Sequence, residues 1–472
     1  MDPSVVQDPP QDTRPDIAYT LDVVIADRYR AAVARAIAAA APGSVLIRRC
    51  DQPVAGPVSM RMVTDGEPTH RWLQHWLRAD LGTGLLSCTD PAIDRSRTGK
   101  IRIRAAVPLQ DSEDLAFAYT PGVGRVASMI AADPGCARQL TGRHNRVAVV
   151  TDGSAVLGLG NLGPTAALPV MEGKAALFAH LAGIDAVPIC LDTHDVDGIV
   201  AAVSAIAPGF GGVNLEDIAA PTCFAVETRL RETLDIPVLH DDQHGTAVVV
   251  LAALLNALTV VGKQFRNARI VVLGAGAAGT AVTRLLLAAG ATDVIVWAPP
   301  GVLHPRISRQ LPAHKQELAA MTNPRGIHGG LPEALRNADA VIGLSAARVL
   351  NRSLIEGMAK DPIVFAMANP VPEIHPAEIC DLAAVTATGR SDHPNQVNNA
   401  LVFPGLFRGA LDADLTAFTL PVLLACAGAL ADLVTNPTTD RILPELLDPR
   451  VVPAVAATVR ASAAAADPTR SA

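Results

Sequence analysis

Aromatic residues are scarce in this chain: nine Phe, three Trp and three Tyr among 472 residues. That is too few for the stacking platforms that single-stranded nucleic acids need. Long basic runs are also missing and the formal net charge is −7, so no electrostatic footprint for nucleic acid or an anionic membrane is present. The seven cysteines, at 50, 88, 136, 190, 223, 380 and 426, form no C-x-x-C pair and no metal-ligand spacing. An odd, dispersed set is expected of reduced thiols in a cytoplasmic protein. The N-terminus lacks the basic region and apolar stretch of a signal peptide. The longest apolar run, 246–261, is short for a membrane span and is interrupted by Asn256, which favours a buried helix.

What is present is core-forming material. Half of the residues are hydrophobic and 18% are charged, a composition that argues against disorder. At ~150 residues per domain the length predicts about three domains. Residues 1–16, polar, acidic and proline-rich, are expected to form a disordered tail. Residues 17–90 read as β-α-β-β-α-β, with strands over 17–26, 44–49, 57–63 and 84–88 and helices over 27–41 and 68–79. This order is ferredoxin-like and resembles ACT domains, small modules that often bind amino acids and regulate metabolic enzymes. A structural or dimerising cap is the plainer alternative. Residues 91–110 look like a basic linker leading into a strand. Strands at 146–150, 186–191 and 236–240 then alternate with helical stretches as a first α/β domain over 91–258. A second α/β unit covers 259–465, with strands at 339–342, 363–367 and 384–388 and Ala/Val-rich helices at its end.

The strand Ile270–Leu273 runs into Gly274-Ala275-Gly276-Ala277-Ala278-Gly279, and an apolar helix follows. In this setting G-x-G-x-x-G points to a Rossmann-like dinucleotide site. The first glycine makes the turn, the second admits a pyrophosphate, and the third lets helix pack on strand. The anion is then held by the helix N-terminus. Upstream, Glu216-Asp217 follow Gly211-Gly212-Val213-Asn214-Leu215, and Asp241-Asp242 lie between a strand and a helix start. Clustered carboxylates repel unless a cation joins them, and oxygen donors favour Mg²⁺ or Mn²⁺ over zinc; solvated loop acids are the competing reading. Asp192, Asp195 and Asp197 look like a solvated turn. Tyr119 sits in a Pro/Gly turn, and Lys174 opens an apolar helix expected over 175–181. Read alone, each is a packing or surface residue, although a lysine in apolar surroundings can act as a base. Asn369 and Asn399 lie just past predicted strands, where their amides face a crevice or simply form turns.

Taken together these pieces resemble malic enzymes. The matching stretches include Tyr119-Thr120-Pro121-Gly122-Val123, Thr151-Asp152-Gly153-Ser154-Ala155, Met171-Glu172-Gly173-Lys174, Asn214-Leu215-Glu216-Asp217, His240-Asp241-Asp242-Gln243-His244-Gly245 and Asn398-Asn399-Ala400-Leu401. They occur in the family's order over roughly 95–465, and the size is similar to the compact bacterial branch. The fold implied is α/β: a smaller malic-enzyme N-terminal domain for substrate and metal, then a Rossmann-like NAD(P)-binding domain, preceded by the ferredoxin-like, ACT-like α+β module. The activity implied is oxidative decarboxylation of (S)-malate to pyruvate and CO₂ with reduction of NAD(P), with oxaloacetate decarboxylation as a further capacity.

Carried over by position, Glu216, Asp217 and Asp242 would bind Mg²⁺ or Mn²⁺, with Asp241 behind them. Lys174, its pKa depressed, would be the base and Tyr119 the acid. Gly274, Ala275, Gly276, Ala277, Ala278 and Gly279 would hold the coenzyme. Asn369 would orient substrate and nicotinamide, and Asn399 the substrate. A homodimer or larger homo-oligomer is expected, with a small-metabolite effector at 17–90.

One departure concerns the coenzyme. No Asp or Glu occurs between Asp293 and Glu317, so the acid that usually holds the adenosine ribose of NAD is missing. Arg306, Arg309 and Lys315 are candidates to meet a 2′-phosphate. The resemblance leans slightly to NAD, and the choice between NAD and NADP stays open. Two other readings compete: an amino-acid dehydrogenase, which needs no acidic metal site, and a non-catalytic nucleotide-sensing relative, which has no need of Tyr119, Lys174 and the acidic set.

Overall fold

The computed structural model describes residues 19–40, 43–51, 56–308 and 311–466, so the expected 1–16 tail lies outside the described residues. The chain divides into two compact units, Met1–Lys100 and Ile101–Ala472.

In the first unit, β1 (Thr20–Ile25), β2 (Val45–Asp51), β3 (Val58–Thr64) and β4 (Leu85–Thr89) form an antiparallel sheet in the order β2-β3-β1-β4. Alternation along β1 buries Leu21, Val23 and Ile25. The helix Glu67–Leu81 supplies His70, Leu73, Leu77 and Leu81 to the interior at helical spacing. A helix Arg30–Ala39 follows β1, so the observed order is β-α-β-β-α-β. The unit runs beyond the expected boundary at 90. A short helix, Pro91–Ser96, stands where a linker was expected, because Asp90 caps it by accepting from the N–H groups of Ala92 and Ile93. The strand expected to follow the 91–110 linker does not form; the helix Ser112–Ala118 comes next, and Ile103 is 98% exposed.

The second unit holds two sheets. β5 (Arg146–Thr151), β6 (Asp185–Cys190), β7 (Gly212–Leu215) and β8 (Val238–His240) are parallel, in the order β6-β5-β7-β8. β9 (Arg269–Leu273), β10 (Asp293–Ala298), β11 (Gly301–Val302), β12 (Ala340–Gly343), β13 (Ile363–Ala366) and β14 (Val385–Thr388) form the other. Its order is β11-β10-β9-β12-β13-β14, parallel except for the β10–β11 pair. These strands read as unbroken apolar runs because both faces are covered. β9 has β10 on one side and β12 on the other, the strand reversal where α/β sheets bind ligands.

Two helices position the site. Pro164–Ala182 starts well before Lys174, with Pro164 at its first turn, so Lys174 lies within the helix and not at its start. Asp241–Val260 is long and apolar enough to cross a membrane by length and composition, but most of it is buried inside the protein. It packs against the helices Ala277–Ala288 and Leu420–Asp432, as a core helix should.

Candidate active site

The carboxylates collect where parallel strands end. β7 stops at Leu215, and Asp217 takes a left-handed φ of 53° that aspartate tolerates. This turn is tied down by Ala155 N–H on the Asp217 carbonyl at 2.9 Å and Leu157 N–H on Asp217 Oδ1 at 3.3 Å. β8 ends at His240, and the next helix opens with Asp241 and Asp242. Asp217 N–H donates to Asp242 Oδ2 at 2.8 Å, crossing from one strand end to the other. One oxygen each of Glu216, Asp217 and Asp242 lies within 4.8 Å of the others. Asp217 Oδ2 is buried with no partner among the described residues.

Lys174 is almost fully buried and forms ion pairs with Glu216 and Asp241, with its Nζ 4.5 Å from the Phe403 ring centroid. Asn214 Nδ2 also donates to Glu216 Oε2, at 3.1 Å. Two acids thus share one lysine in a low-dielectric pocket, with Asp217 and Asp242 beside them. Burial, with repulsion from neighbouring carboxylates, lifts Glu216 well above the carboxylate range and Asp217 up to about 7. Burial pulls the Lys174 ammonium down, but Asp241 and Glu216 outweigh it, so its proton is held more firmly than in water. The depressed lysine was expected beside a bound cation as well as from burial; here the carboxylates of Glu216 and Asp241 themselves meet the ammonium.

A second set of contacts was missed in the sequence. Glu227, on the helix Thr222–Thr233, accepts from His240 N–H at 3.0 Å and Gln243 Nε2 at 3.1 Å, and pairs with His244 Nε2 at 2.9 Å. His240 Nε2 lies 3.2 Å from Asp242 Oδ2. Glu227 therefore braces the turn that presents Asp242. No local motif marks it; its only signal is an acid on the buried stripe of an amphipathic helix.

A cavity of about 630 Å³ is lined by Glu216, Asp217, Asp242, Asn369, Asn399, Ser345 and Ala278. It brings the three acids, both asparagines and the start of the helix Ala277–Ala288 to one space. A neighbouring cavity of about 470 Å³ is lined by Gly274, Ala275, Gly276, Trp297, Ala298, His314 and Lys315. Leu344, Ser345 and Ala346 line both. Gly274 has φ +107°, and a Cβ there would meet Leu344 O at 2.2 Å. A Cβ on Gly279 would meet Gly274 O at 2.1 Å, whereas one on Gly276 meets nothing within 4 Å. The turn is thus packed where helix meets strand and open where a pyrophosphate must enter. No carboxylate lines the second cavity and Lys315 does; Arg306 is exposed, and Arg309 lies outside the described residues.

Two expected participants stand apart. Lys174 is not among the residues lining the larger cavity and reaches it through Glu216. Tyr119, at the end of the helix Ser112–Ala118, is 65% exposed and lines neither cavity. Asp195, expected in a solvated turn, caps the helix Val196–Ile206 through Gly198 N–H.

Residues 98–231 match the family described as malic enzyme, N-terminal domain, and residues 243–464 match malic enzyme, NAD binding domain. The chain belongs to the malic enzyme family. It is 50% identical over 373 residues to the NAD-dependent malic enzyme of Geobacillus stearothermophilus, covering 79% of this chain and 78% of that one. It is 46% identical to the NADP-dependent malic enzyme of Halomonas elongata, covering 73% and 82%. The crystal structure of a Thermotoga maritima NAD-dependent malic enzyme is similar at a TM-score of 0.75 and 46% identity, covering 78% of this chain and 98% of that one. The fold is the α/β malic-enzyme fold with a Rossmann-like NAD-binding domain. Both family matches begin after the first unit's sheet. The first match ends at residue 231 and the second begins at residue 243, within the first turn of the helix Asp241–Val260.

Proposed function

We propose that the chain is a malic enzyme, oxidising and decarboxylating (S)-malate to pyruvate and CO₂ with reduction of NAD or NADP. The observation that carries this reading is the larger cavity, where three acids, two asparagines and the approach to the Gly-rich turn share one space.

The acids fit a divalent cation: all donors are oxygen, and the buried Asp217 Oδ2 lacks a partner among the described residues. Glu216, Asp217 and Asp242 would hold Mg²⁺ or Mn²⁺, and the Gly274–Gly279 turn would hold the coenzyme. When bound, these groups supply Lewis acidity and a hydride acceptor. Lys174 takes the proton of the malate C2 hydroxyl; acids that bind a cation give up part of their hold on its ammonium, lowering its pKa toward that task. Asn369 and Asn399 orient the substrate, with Asn369 also toward the nicotinamide. Tyr119 donates its phenolic proton to the enol carbon of the product.

Two wider proposals accompany this. The chain works as a homodimer or larger homo-oligomer, supported by the exposed hydrophobic residues Ile103, Leu115, Phe117, Tyr119 and Met129. The region 17–90 is a ferredoxin-like, ACT-like module that binds a small effector, a reading supported by the order β2-β3-β1-β4.

The test is absorbance of the reduced coenzyme with malate and Mn²⁺, with NAD and NADP in parallel, with and without EDTA. Metal-dependent reduction with pyruvate formed is expected. Turnover of an amino acid that survives EDTA overturns the reading. The same assay decides the coenzyme, since the cavity carries Lys315 and no acid for a ribose.

A further inference from the structure

The first unit has a cavity of its own, about 390 Å³, lined by Arg48, Arg61, Val63, Pro91, Ala92 and Arg95 with Thr20. On β3, Met60 and Met62 join the hydrophobic core. Strand alternation therefore places Arg61 and Val63 on the opposite face of the sheet. The helix Pro91–Ser96 packs against β1 and contributes Pro91, Ala92 and Arg95. Four separate elements thus bring three guanidinium groups to one space. Only one of the three is neutralised. Arg61 Nε and Nη2 each donate to an Asp22 oxygen at 2.7 Å. Arg48 and Arg95 have no carboxylate within ion-pairing distance among the described residues.

We infer that this cavity binds a small organic dianion. Two unbalanced guanidinium forks call for two negative charges, and arginine meets carboxylate and phosphate oxygens in pairs. Val63, Pro91 and Ala92 give the apolar wall that a short carbon skeleton needs. The mount of Arg95 is fixed. Asp90 caps its helix and also bonds the buried His70, Oδ2 to Nε2, at 3.0 Å. That helix is the last element before the part of the chain matched to the malic enzyme family. The inference rests on reading the first unit as an effector module. It fails independently of the malic-enzyme reading, which the malate assay decides.

The experiment is calorimetric titration of the full chain at constant ionic strength with succinate, inorganic phosphate, acetate and glycine, for wild type, R48A, R95A and R48K. Saturable binding of succinate or phosphate is expected, with acetate and glycine weaker. Each alanine variant should weaken it about ten-fold or more, while malate turnover without added anion stays at the wild-type level. R48K, which keeps the charge and loses the fork, should fall between and tests the site even if an alanine variant folds poorly. Succinate alone identifies a dicarboxylate and phosphate alone a phosphate ester. The inference is overturned if neither dianion binds, if glycine binds as well as they do, or if the arginine variants bind unchanged.

Discussion

Asp217 sets the charge balance of the candidate site. Its carboxyl is raised from the ordinary 3.8 to about 7 by burial and by Asp242. Between about pH 4 and about pH 7 the folded metal-free chain therefore keeps a proton that the unfolded chain has lost. Stability must fall as pH rises through that window. Thermal denaturation in EDTA should give a lower midpoint at about pH 7.5 than at about pH 5.5, and saturating Mn²⁺ should reverse the order by binding the ionised acids. A midpoint that rises with pH in EDTA would refute this. Lys174 poses the complementary case. Lys174→Ala leaves Glu216 and Asp241 without their cation; breaking such a buried pair costs about 3–5 kcal/mol. Loss of a proton-transfer group lowers kcat about 10²–10⁴-fold. Denaturation of metal-free protein and steady-state rates would measure the two effects separately. A variant with normal kcat removes Lys174 from the proposed chemistry.

At the level of elements, glycines give contrasting expectations. Gly279→Ala places a methyl 2.1 Å from the Gly274 carbonyl. The helix Ala277–Ala288 must then lift off its strand, with a loss of about 1–3 kcal/mol and a raised KM for coenzyme. Gly428→Ala, inside the helix Leu420–Asp432 with nothing within 4 Å of the new Cβ, should instead stabilise by about 0.4–1 kcal/mol. Denaturant unfolding of the two variants reads both signs. The same scale explains what the sequence made legible. Strands buried on both faces, such as β9 and β13, announce themselves as apolar runs with turns at their ends. β7 did not: it is four residues long and begins at Gly212, beside Gly211. The helix around Lys174 looked shorter than it is because Pro169 and Gly173 lie inside it. Asp242 could be picked out because it follows the predicted strand 236–240, and Glu216-Asp217 as an adjacent acidic pair in a stretch resembling the family's, whereas Glu227 acts across space from a separate helix and carries no local pattern.

At the scale of the whole molecule, the two compact units lead to a separable expectation. A chain beginning near residue 101 retains both malic enzyme matches almost whole. It should keep metal-dependent malate oxidation and lose any response to a small anionic effector; a response that persists would place the effector elsewhere. The helix Asp241–Val260 bears on a different practice. Its first turn carries Asp242 to the acidic site, while its remaining length lies in the core shared with the Gly-rich helix. Recombination between relatives, meant to exchange one coenzyme domain for another, should therefore cross over in the loop before β8. A junction placed after Val260 would graft a foreign surface onto this helix and unseat the acid at its other end.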